Sequence, residues 1–187
     1  YTPDGTKNGS VKSSMENGQK MKVDFGGELS GQLVFEGRFR YEGGSVSNGT
    51  IKFFDIYNKR NEDVLMVTIG ACSKDGFKLR PVYSDANGTV VTSYTTPEYY
   101  SNSTWHTFKA EIDTEDGAIN IAVDDTEILH GVYPYRGKAG DISYVLSYHS
   151  ADGHTSPFLI DYIKVYKNPN AVDKTKDATV RSSAYAV

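Results

Sequence analysis

The stretch that decides the fold runs from Trp105 to Asp125. It reads Trp105-His106-Thr107-Phe108-Lys109-Ala110-Glu111-Ile112-Asp113, then Thr114-Glu115-Asp116-Gly117, then Ala118-Ile119-Asn120-Ile121-Ala122-Val123-Asp124-Asp125. Apolar and polar residues alternate on both sides of the Glu115-Asp116-Gly117 turn, with Phe108, Ala110 and Ile112 on one face before it and Ile119, Ile121 and Val123 on one face after it. A period of two is typical of a strand with one solvated face. Two such strands around an Asp-Gly turn predict a β-hairpin.

The same alternation extends along most of the chain. In Gln32–Tyr41 it places Leu33, Phe35, Phe39 and Tyr41 on one face. Further strands are predicted at Val11–Glu16, Lys20–Phe25, Thr50–Tyr57, Val64–Ile69, Phe77–Tyr83, Thr89–Tyr94, Asp141–His149 and Pro157–Tyr166. No stretch of ten residues has a helical period. About eleven strands separated by Asn-Gly and Asp-Gly turns predict an all-β sandwich or barrel.

Composition excludes several classes of protein. The chain has 187 residues, a net charge of −4 and a single cysteine, Cys72. No apolar run approaches the roughly 18 residues that cross a membrane, and the acidic balance disfavours nucleic acid, which needs a basic stripe. One cysteine cannot form an internal disulfide framework. Because the chain opens on Tyr1 rather than Met, we expect a mature or excised fragment, and the near-absence of cysteine fits a secreted bacterial protein as well as a cytosolic one.

Three segments are expected along the chain. Residues 1–9 are polar and predict a surface segment, and residues 10–167 contain the predicted strands. Residues 168–187 open with Asn168-Pro169-Asn170 and predict a linker or the start of a following unit.

The Trp105–Asp125 hairpin resembles the signature hairpin of concanavalin A-like (laminin-G-like) jelly rolls. Phe158-Leu159-Ile160-Asp161-Tyr162-Ile163-Lys164-Val165-Tyr166 resembles the closing strand of many carbohydrate-binding modules of secreted bacterial polysaccharide-degrading enzymes. The resemblance implies a jelly-roll β-sandwich of two antiparallel sheets and a polysaccharide ligand. It also implies a structural Ca²⁺ between the first and last strands, with Asp161 at the nominated position and Asp4 as a partner. The alternative role for Asp161 is to satisfy neighbouring backbone amides.

Basic residues alternate on two of the predicted strands. Arg38 and Arg40 share one face of the third strand, and Lys78 and Arg80 share one face of Phe77–Tyr83. If both strands belong to one sheet, the four cations form a floor that suits uronic acids, because the guanidinium fork pairs with carboxylates. The alternative is a solvated strand face with cross-strand ion pairs.

Tyrosines are the second group of candidate ligand contacts, since a ring face packs against the C–H face of a pyranose. Tyr99 and Tyr100 stand together in a polar loop, where binding residues concentrate. Tyr148 and His149, near the end of a predicted strand, join them as candidates. The alternative is that the tyrosines are ordinary sheet residues with hydroxyls at the rim. Trp105, at the start of the hairpin, is assigned to the core or its rim.

Enzymatic alternatives rest on two partial motifs. Glu111-Ile112-Asp113-Thr114-Glu115 resembles the Glu-x-Asp-x-Glu motif of jelly-roll β-glucanases, but it runs into a turn instead of lying mid-strand. A jelly-roll polysaccharide lyase needs a neutralising Arg and a Tyr or His for proton transfer. Arg38, Arg40, Tyr144, Tyr148 and His149 supply such groups, but the Gln-x-His strand of alginate lyases of this fold is missing.

The sequence therefore favours a non-catalytic carbohydrate-binding module. It is expected to bind an extracellular polysaccharide, acidic and pectin-like in character, and to target other domains of the same polypeptide to it. Neither nucleic acid nor membrane is an expected partner, and the expected location is extracellular or at the cell surface. The alternatives are a lyase or glucanase, and a structural or adhesive module without a sugar site.

Overall fold

The computed structural model describes residues 11–12, 20–47, 50–136, 140–150 and 158–171, which form two antiparallel β-sheets. The six-stranded sheet contains, in spatial order, β1 (Val11–Lys12), β13 (Phe158–Lys167), β3 (Gln32–Tyr41), β9 (His106–Asp113), β10 (Ile119–Val123) and β11 (Thr126–Val132). The seven-stranded sheet contains β2 (Lys20–Leu29), β12 (Ile142–His149), β4 (Ile51–Asn58), β5 (Asp63–Cys72), β6 (Gly76–Ser84) and β7 (Val90–Val91), with β8 (Tyr100–Ser101) also paired to β6. The expected all-β jelly-roll sandwich is confirmed. The described residues include no helix that could cross a membrane.

The core lies between the inner faces of the two sheets. The residues predicted to face inward on β3, β9 and β10 are at most 1% exposed, and they are Leu33, Phe35, Phe39, Tyr41, Phe108, Ala110, Ile112, Ile119, Ile121 and Val123. Such alternation is stabilising because one face of each strand is removed from water while the other stays solvated. The hairpin is confirmed, since Asp113 Oδ1 accepts hydrogen bonds from the amides of Glu115 and Asp116 at 3.0 and 3.1 Å.

Aromatic packing joins the two sheets at one glycine. Gly37 faces inward on β3, and a Cβ added there would lie 2.4 Å from Cζ of Phe54 on β4. The fully buried Phe54 ring also contacts Phe35, Phe39 and Phe108 at centroid distances of 5.3, 5.8 and 5.6 Å. Gly37 is therefore required because the ring of the facing sheet occupies the space of its missing side chain.

The sequence patterns did not predict the strands β8 and β11. Asp124 and Asp125 both have positive φ, 49° and 61°, and they form a two-residue turn that leads directly into β11. Positive φ at both central positions is the type I′ geometry of tight hairpins, which Asp tolerates better than most residues. The predicted strand Thr89–Tyr94 shortens to Val90–Val91, and β8 lies in the region predicted as a loop.

Parts of the segment prediction lie outside the described residues. The surface segment 1–9 is one of them, and only 168–171 of the C-terminal segment is described. β1 pairs with β13, with Val11 opposite Ile160, so the first and last described strands are neighbours. The division of the chain into three segments stays a prediction.

Candidate functional site

The outer face of the seven-stranded sheet carries a row of polar side chains that crosses five neighbouring strands. Its members lie directly opposite one another across β2, β12, β4, β5 and β6, and they are Lys20, Tyr148, Lys52, Thr68 and Arg80. Opposed residues on neighbouring antiparallel strands share one face and have Cβ atoms about 4.5–5.5 Å apart. We call these five residues the cation row.

Two further rows lie beside the cation row on the same face. The middle row contains Lys22, Leu146, Asp55, Met66 and Val82. The last row contains Asp24, Tyr144, Tyr57 and Asp63. Asp55 thus lies at the centre of the face, between the cation row and a pair of tyrosines.

Asp55 faces outward because β4 contains a bulge at Phe53 and Phe54. The register with β5 shifts between Lys52 and Phe54, and both phenylalanines are fully buried. Successive side chains of a regular strand point to opposite faces, so without the bulge Phe54 would face outward and Asp55 inward. The Ser147 hydroxyl donates a hydrogen bond of 2.7 Å to the Phe53 carbonyl, which satisfies a backbone group at the irregularity.

The Asp55 carboxylate is held beneath two tyrosine hydroxyls. Tyr57 and Tyr148 each donate a hydrogen bond to its Oδ2, at 3.0 and 3.1 Å. Asp55 is 0% exposed, and its Oδ1 has no hydrogen-bond partner in the part of the chain that the structure describes. Burial, helped by the negative charge of Asp63, raises the pKa of Asp55 to about 7, although the two tyrosine hydrogen bonds oppose the shift.

The tyrosines around Asp55 stay protonated at neutral pH. Burial raises the pKa of Tyr57 and of Tyr148, and the nearby negative charge of Asp55 adds to both shifts. The rings of Tyr57 and Tyr144 stack, with centroids 4.8 Å apart and planes 9° from parallel. The Tyr144 hydroxyl donates to Asn61 Oδ1 at 3.1 Å. These contacts give a rigid aromatic patch with hydroxyl groups at its rim.

Two partly buried cations lie in the cation row on the other side of Asp55, Lys52 on the same strand and Arg80 two strands away. Burial lowers the pKa of Lys52; Asp55 opposes this shift, and the positive charge of Arg80 adds to it. The Nε of Arg80 is buried and has no hydrogen-bond partner among the described residues. A buried donor without a partner costs about 1–3 kcal/mol, so holding the Arg80 side chain on this face has a cost in stability.

The face is bounded at both sides. Lys20 and Lys22 of β2 extend over the rings of Tyr148 and Tyr144, with Nζ 4.9 and 4.1 Å from the ring centroids. At the β6 side, Thr95 lies over Gly70, where an added Cβ would come within 2.7 Å of the Thr95 methyl group. The neighbouring Thr96 amide donates to the Leu79 carbonyl at 2.8 Å, which ties this segment to β6.

The predicted floor of four cations is wrong, because the four residues lie on different sheets. Lys78 and Arg80 are on β6 of the seven-stranded sheet, whereas Arg38 and Arg40 are on β3 of the six-stranded sheet. Backbone hydrogen bonding between distant strands decides which sheet a strand joins, and alternation within each strand carries no signal of it. The residues therefore divide between two faces.

Arg38 and Arg40 follow the alternative reading of a solvated face with ion pairs. Arg38 Nη1 lies 2.9 Å from Asp161 Oδ2, and Arg40 pairs with Glu42. Both guanidinium groups lie over the ring of Trp105, at 5.3 and 5.1 Å from its centroid. Trp105 is half-buried at the outer side of the six-stranded sheet, in agreement with its assignment to the rim. Each arginine already has a carboxylate, so neither offers an uncompensated cation to a ligand.

The remaining predicted site residues divide between the surface and the interior. Tyr148 belongs to the cation row, and Lys78 lies on the same face, where its Nζ is 4.8 Å from the centroid of the Tyr99 ring and 2.8 Å from the Pro97 carbonyl. Tyr99 is 51% exposed. Tyr100 is partly buried against Phe77 and His106, and His149 is 1% exposed, so of these two predicted contacts only His149 is removed from the surface.

The described residues leave the implied calcium site untested. Asp161 is paired with the Arg38 guanidinium, and Asp4 lies outside the described residues. Across the described ranges, no group of three or more His, Cys, Asp or Glu side chains could hold a metal ion. Calcium stays a prediction of the sequence resemblance.

The glucanase-like motif lies on the six-stranded sheet, away from the cation row. Glu111 is exposed on β9, and Asp113 caps the following turn. Glu115 belongs to that turn, so the two glutamates do not line one strand, as retaining catalysis by a carboxylate pair about 5–5.5 Å apart would require. The arrangement supports the reading of a polar outer face that ends in a hairpin turn.

Sequence reasoning missed the residues at the centre of the face. Lys52, Asp55, Tyr57 and Thr68 were not predicted as site residues. One signal was available, since Asp55 is a carboxylate inside Ile51-Lys52-Phe53-Phe54-Asp55-Ile56-Tyr57, an otherwise apolar and aromatic strand. A buried carboxylate in such a strand is unusual enough to mark a functional candidate.

Comparisons with known proteins support the fold. No protein-family model and no curated protein matches the chain. Among solved structures, a protein described as "Sialidase" superposes with a TM-score of 0.58 at 11% identity over 94% of this chain. An alginate lyase from Alteromonas sp. 272 superposes with a TM-score of 0.54 at 9% identity over 86% of this chain and 88% of its own. The Emp46p carbohydrate recognition domain gives a TM-score of 0.55 at 14% identity, covering 86% of this chain and 83% of its own.

These likenesses show a shared concanavalin A-like jelly-roll fold. The chain spans only 17% of the length of the sialidase, so it corresponds to one part of that larger protein. It spans more than four fifths of the alginate lyase and of the Emp46p domain.

The raised pKa of Asp55 makes stability depend on pH. Its folded-state pKa is about 7 against an ordinary value of 3.8, so the folded state binds more protons between these pH values. Stability is then lost as the pH rises through this window. We expect Asp55→Asn to remove the loss and to raise the free energy of unfolding by about 1–2 kcal/mol at pH 8, a gain limited by the weaker hydrogen bonds of an amide.

Urea unfolding at pH 5 and pH 8 measures this effect. The wild-type protein should be less stable at pH 8 relative to Asp55→Asn, and the difference should shrink at pH 5. Asp24→Asn, an exposed carboxylate on the same face, serves as the matched control and should leave stability within about 0.5 kcal/mol at both pH values. Equal pH dependence in the wild type and Asp55→Asn would contradict the assignment.

Proposed function

We propose that the protein is a non-catalytic carbohydrate-binding module that holds an acidic, pectin-like extracellular polysaccharide on the outer face of its seven-stranded sheet. The main support for the proposal is the cation row. In it Lys52 on β4 and Arg80 on β6 lie on either side of Thr68 on β5, and the Nε of Arg80 has no hydrogen-bond partner among the described residues. Guanidinium and ammonium groups bind carboxylates through charge-assisted hydrogen bonds. Tyr148, which is partly exposed in the same row, adds a hydroxyl group suited to sugar hydroxyls.

The charge of the face supports an acidic ligand. Among the side chains of this face that the structure describes, cations outnumber carboxylates, with Lys20, Lys22, Lys52, Lys78 and Arg80 against Asp24, Asp55 and Asp63. The whole chain has a net charge of −4, so the positive face stands out against an acidic protein. The corresponding face of the six-stranded sheet is charge-paired by Arg38–Asp161, Arg40–Glu42, Lys164–Glu36 and Lys109–Asp125. An anionic polymer is therefore attracted to one sheet in preference to the other.

The role we propose is to keep an attached enzyme near its substrate. Many weak contacts along a repeating polymer raise the effective concentration of whatever is joined to the module. The similarity to a carbohydrate recognition domain and to one part of a sialidase supports a sugar-binding unit within a longer polypeptide. Location outside the cell or at its surface follows from a polysaccharide ligand and is part of the proposal.

A polysaccharide lyase is the second candidate, and Tyr148 is the observation that favours it. Tyr148 shares the cation row with Lys52 and Arg80, and its hydroxyl contacts Asp55. A phenol beside cations that neutralise a uronate carboxylate can serve as the proton-transfer group of a β-elimination. The alginate lyase similarity adds weight at the level of fold.

Native affinity electrophoresis tests the proposal. The protein is run through gels that contain polygalacturonate, alginate or a neutral β-glucan, and the same mixtures are followed by absorbance for unsaturated uronate. We expect retardation by an acidic polymer, weaker retardation by the neutral glucan, and no increase in absorbance. Absence of retardation in every gel would contradict sugar binding and favour a structural or adhesive module. Retardation together with rising absorbance would replace the binding module by a lyase.

A further inference from the structure

Asp55 lies beneath the proposed binding surface instead of on it. Its side chain is 0% exposed, whereas Tyr148 and Lys52, which lie next to it, are partly exposed. A ligand on the face therefore touches the neighbours of Asp55 and not its carboxyl group. Any influence of Asp55 on binding must act through those neighbours, by charge or by hydrogen bonding.

Charged and titratable groups surround Asp55 from every strand packed around it. On β4 these are Lys52 and Tyr57, and β12 adds Tyr144 and Tyr148. The other strands of the face contribute Lys22 from β2, Asp63 from β5 and Arg80 from β6. Burial raises the pKa of Tyr57, Tyr144 and Tyr148, so these hydroxyls stay protonated, whereas burial and the charge of Asp63 raise the pKa of Asp55 to about 7.

The hydrogen bonds of Tyr148 depend on the state of Asp55. When Asp55 is ionised, its Oδ2 accepts the protons of both Tyr57 and Tyr148, at 3.0 and 3.1 Å. The Tyr148 oxygen then has only lone pairs left for a ligand, which a carboxylate cannot use. When Asp55 is protonated, its own hydroxyl can donate within this cluster, and the Tyr148 proton is free to point at a ligand oxygen.

The charge of Asp55 acts in the same direction. An ionised carboxylate next to Lys52 cancels part of the positive potential on which an acidic ligand depends. In a partly buried position such an interaction is screened less than between exposed groups. Protonation removes the negative charge of Asp55, so that it no longer opposes the positive potential of Lys52 and Arg80. Both effects favour an anion only when Asp55 is neutral.

We propose that Asp55 is a proton-linked specificity determinant, whose protonated form admits an acidic glycan to the cation row and whose ionised form disfavours it. The inference rests on the proposed function, because it concerns the same face and the same ligand class. It predicts that the module takes up a proton when it binds. It therefore holds its polymer in mildly acidic surroundings and releases it as the pH rises above neutral.

The expected size of the effect follows from the fraction of protein with Asp55 protonated. With a pKa of about 7, nearly all of the protein is competent at pH 6 and about one part in eleven at pH 8. The apparent affinity should therefore fall about tenfold between these pH values. A carboxylic polymer with pKa values near 4 keeps its own charge throughout this range.

Binding of polygalacturonate oligomers, measured by calorimetry from pH 6 to pH 8, tests the inference. Asp55→Asn mimics the neutral side chain and should bind at pH 8 as tightly as the wild type does at pH 6, with no dependence on pH. Asp63→Asn removes a negative charge that disfavours ionisation of Asp55. It should therefore lower the pH at which binding of the oligomers is lost. Titrations at pH 7 in two buffers of different ionisation enthalpy should show proton uptake by the wild type and none by Asp55→Asn.

The possible outcomes separate the two proposals. Wild-type binding that is independent of pH, or an equal pH dependence in Asp55→Asn, overturns the role of Asp55 while the proposed function stands. Loss of binding in a folded Asp55→Asn variant also overturns it, because the neutral side chain should suffice. If the wild type binds the oligomers at no pH, the proposed function fails, and the inference falls with it.

Discussion

Replacing Arg80 with methionine is expected to weaken binding of an acidic polysaccharide by about 10- to 100-fold. The loss corresponds to one or more charge-assisted hydrogen bonds of about 1.5–3 kcal/mol, at about 1.4 kcal/mol for each factor of ten. Arg80 is singled out because it is the guanidinium of the cation row, whereas the other cations of the face are lysines, and because its buried Nε has no hydrogen-bond partner within the described ranges. Methionine keeps much of the aliphatic stem, so the packing over the sheet is largely preserved.

Affinity electrophoresis at pH 6 measures this change, with thermal unfolding as the check on folding. Arg38→Met is the matched control, since it removes an arginine from the outer face of the other sheet. Arg38 has a carboxylate partner in Asp161, at 2.9 Å, and lies outside the cation row. Its binding should equal that of the wild type. Equal losses in the two variants, or a larger loss in Arg38→Met, would move the site to the six-stranded sheet.

The largest effect on stability is expected for Phe54→Ala, at about 3–5 kcal/mol of unfolding free energy. Phe54 is 0% exposed and lies among Phe35, Phe39 and Phe108 at the contact between the two sheets. Truncation leaves a cavity that the surrounding rings fill only in part. It also removes the apolar side chain whose burial favours the bulge, so we expect polysaccharide binding to weaken as well.

Gly37 provides a coupled test of the same contact. Gly37→Ala alone should cost about 1–3 kcal/mol, because its Cβ would lie 2.4 Å from the Phe54 ring in a core without spare volume. In the Phe54→Ala background the same methyl group enters the cavity and should be neutral or stabilising. Urea unfolding of the wild type, both single variants and the double variant measures this coupling. Additive losses would show that the two residues are not in contact.

The fold was largely predictable because it depends on local patterns. The alternation in β3, β9 and β10 identified the inward-facing residues, and the Asp116-Gly117 turn identified the hairpin. Such patterns record which face of each strand is buried, and burial is the main energetic term. The Asp124-Asp125 turn was the exception, because two aspartates in the left-handed region are a weaker signal than Asn-Gly.

The site was only partly predictable because it depends on tertiary pairing. Tyr148, Lys78 and Arg80 were identified as candidates, but whether β3 and β6 share a sheet is decided by long-range hydrogen bonding. β3 pairs with β13, so that Arg38 lies opposite Tyr162. Asp55 was missed for a second reason, since a bulge reverses the alternation of β4 after Phe53. A bulge inserts one residue and leaves no reliable pattern in the sequence.

The central claim is that the outer face of the seven-stranded sheet binds the glycan, and amide chemical-shift mapping with a polygalacturonate oligomer at pH 6 tests it most directly. We expect the shifted resonances to cluster along the cation row, from Lys20 through Lys52 to Arg80. The amides around Trp105, on the other sheet, should stay unchanged. Shifts confined to Trp105 and its neighbours Arg38 and Arg40, or no shifts at saturating oligomer, would contradict the claim.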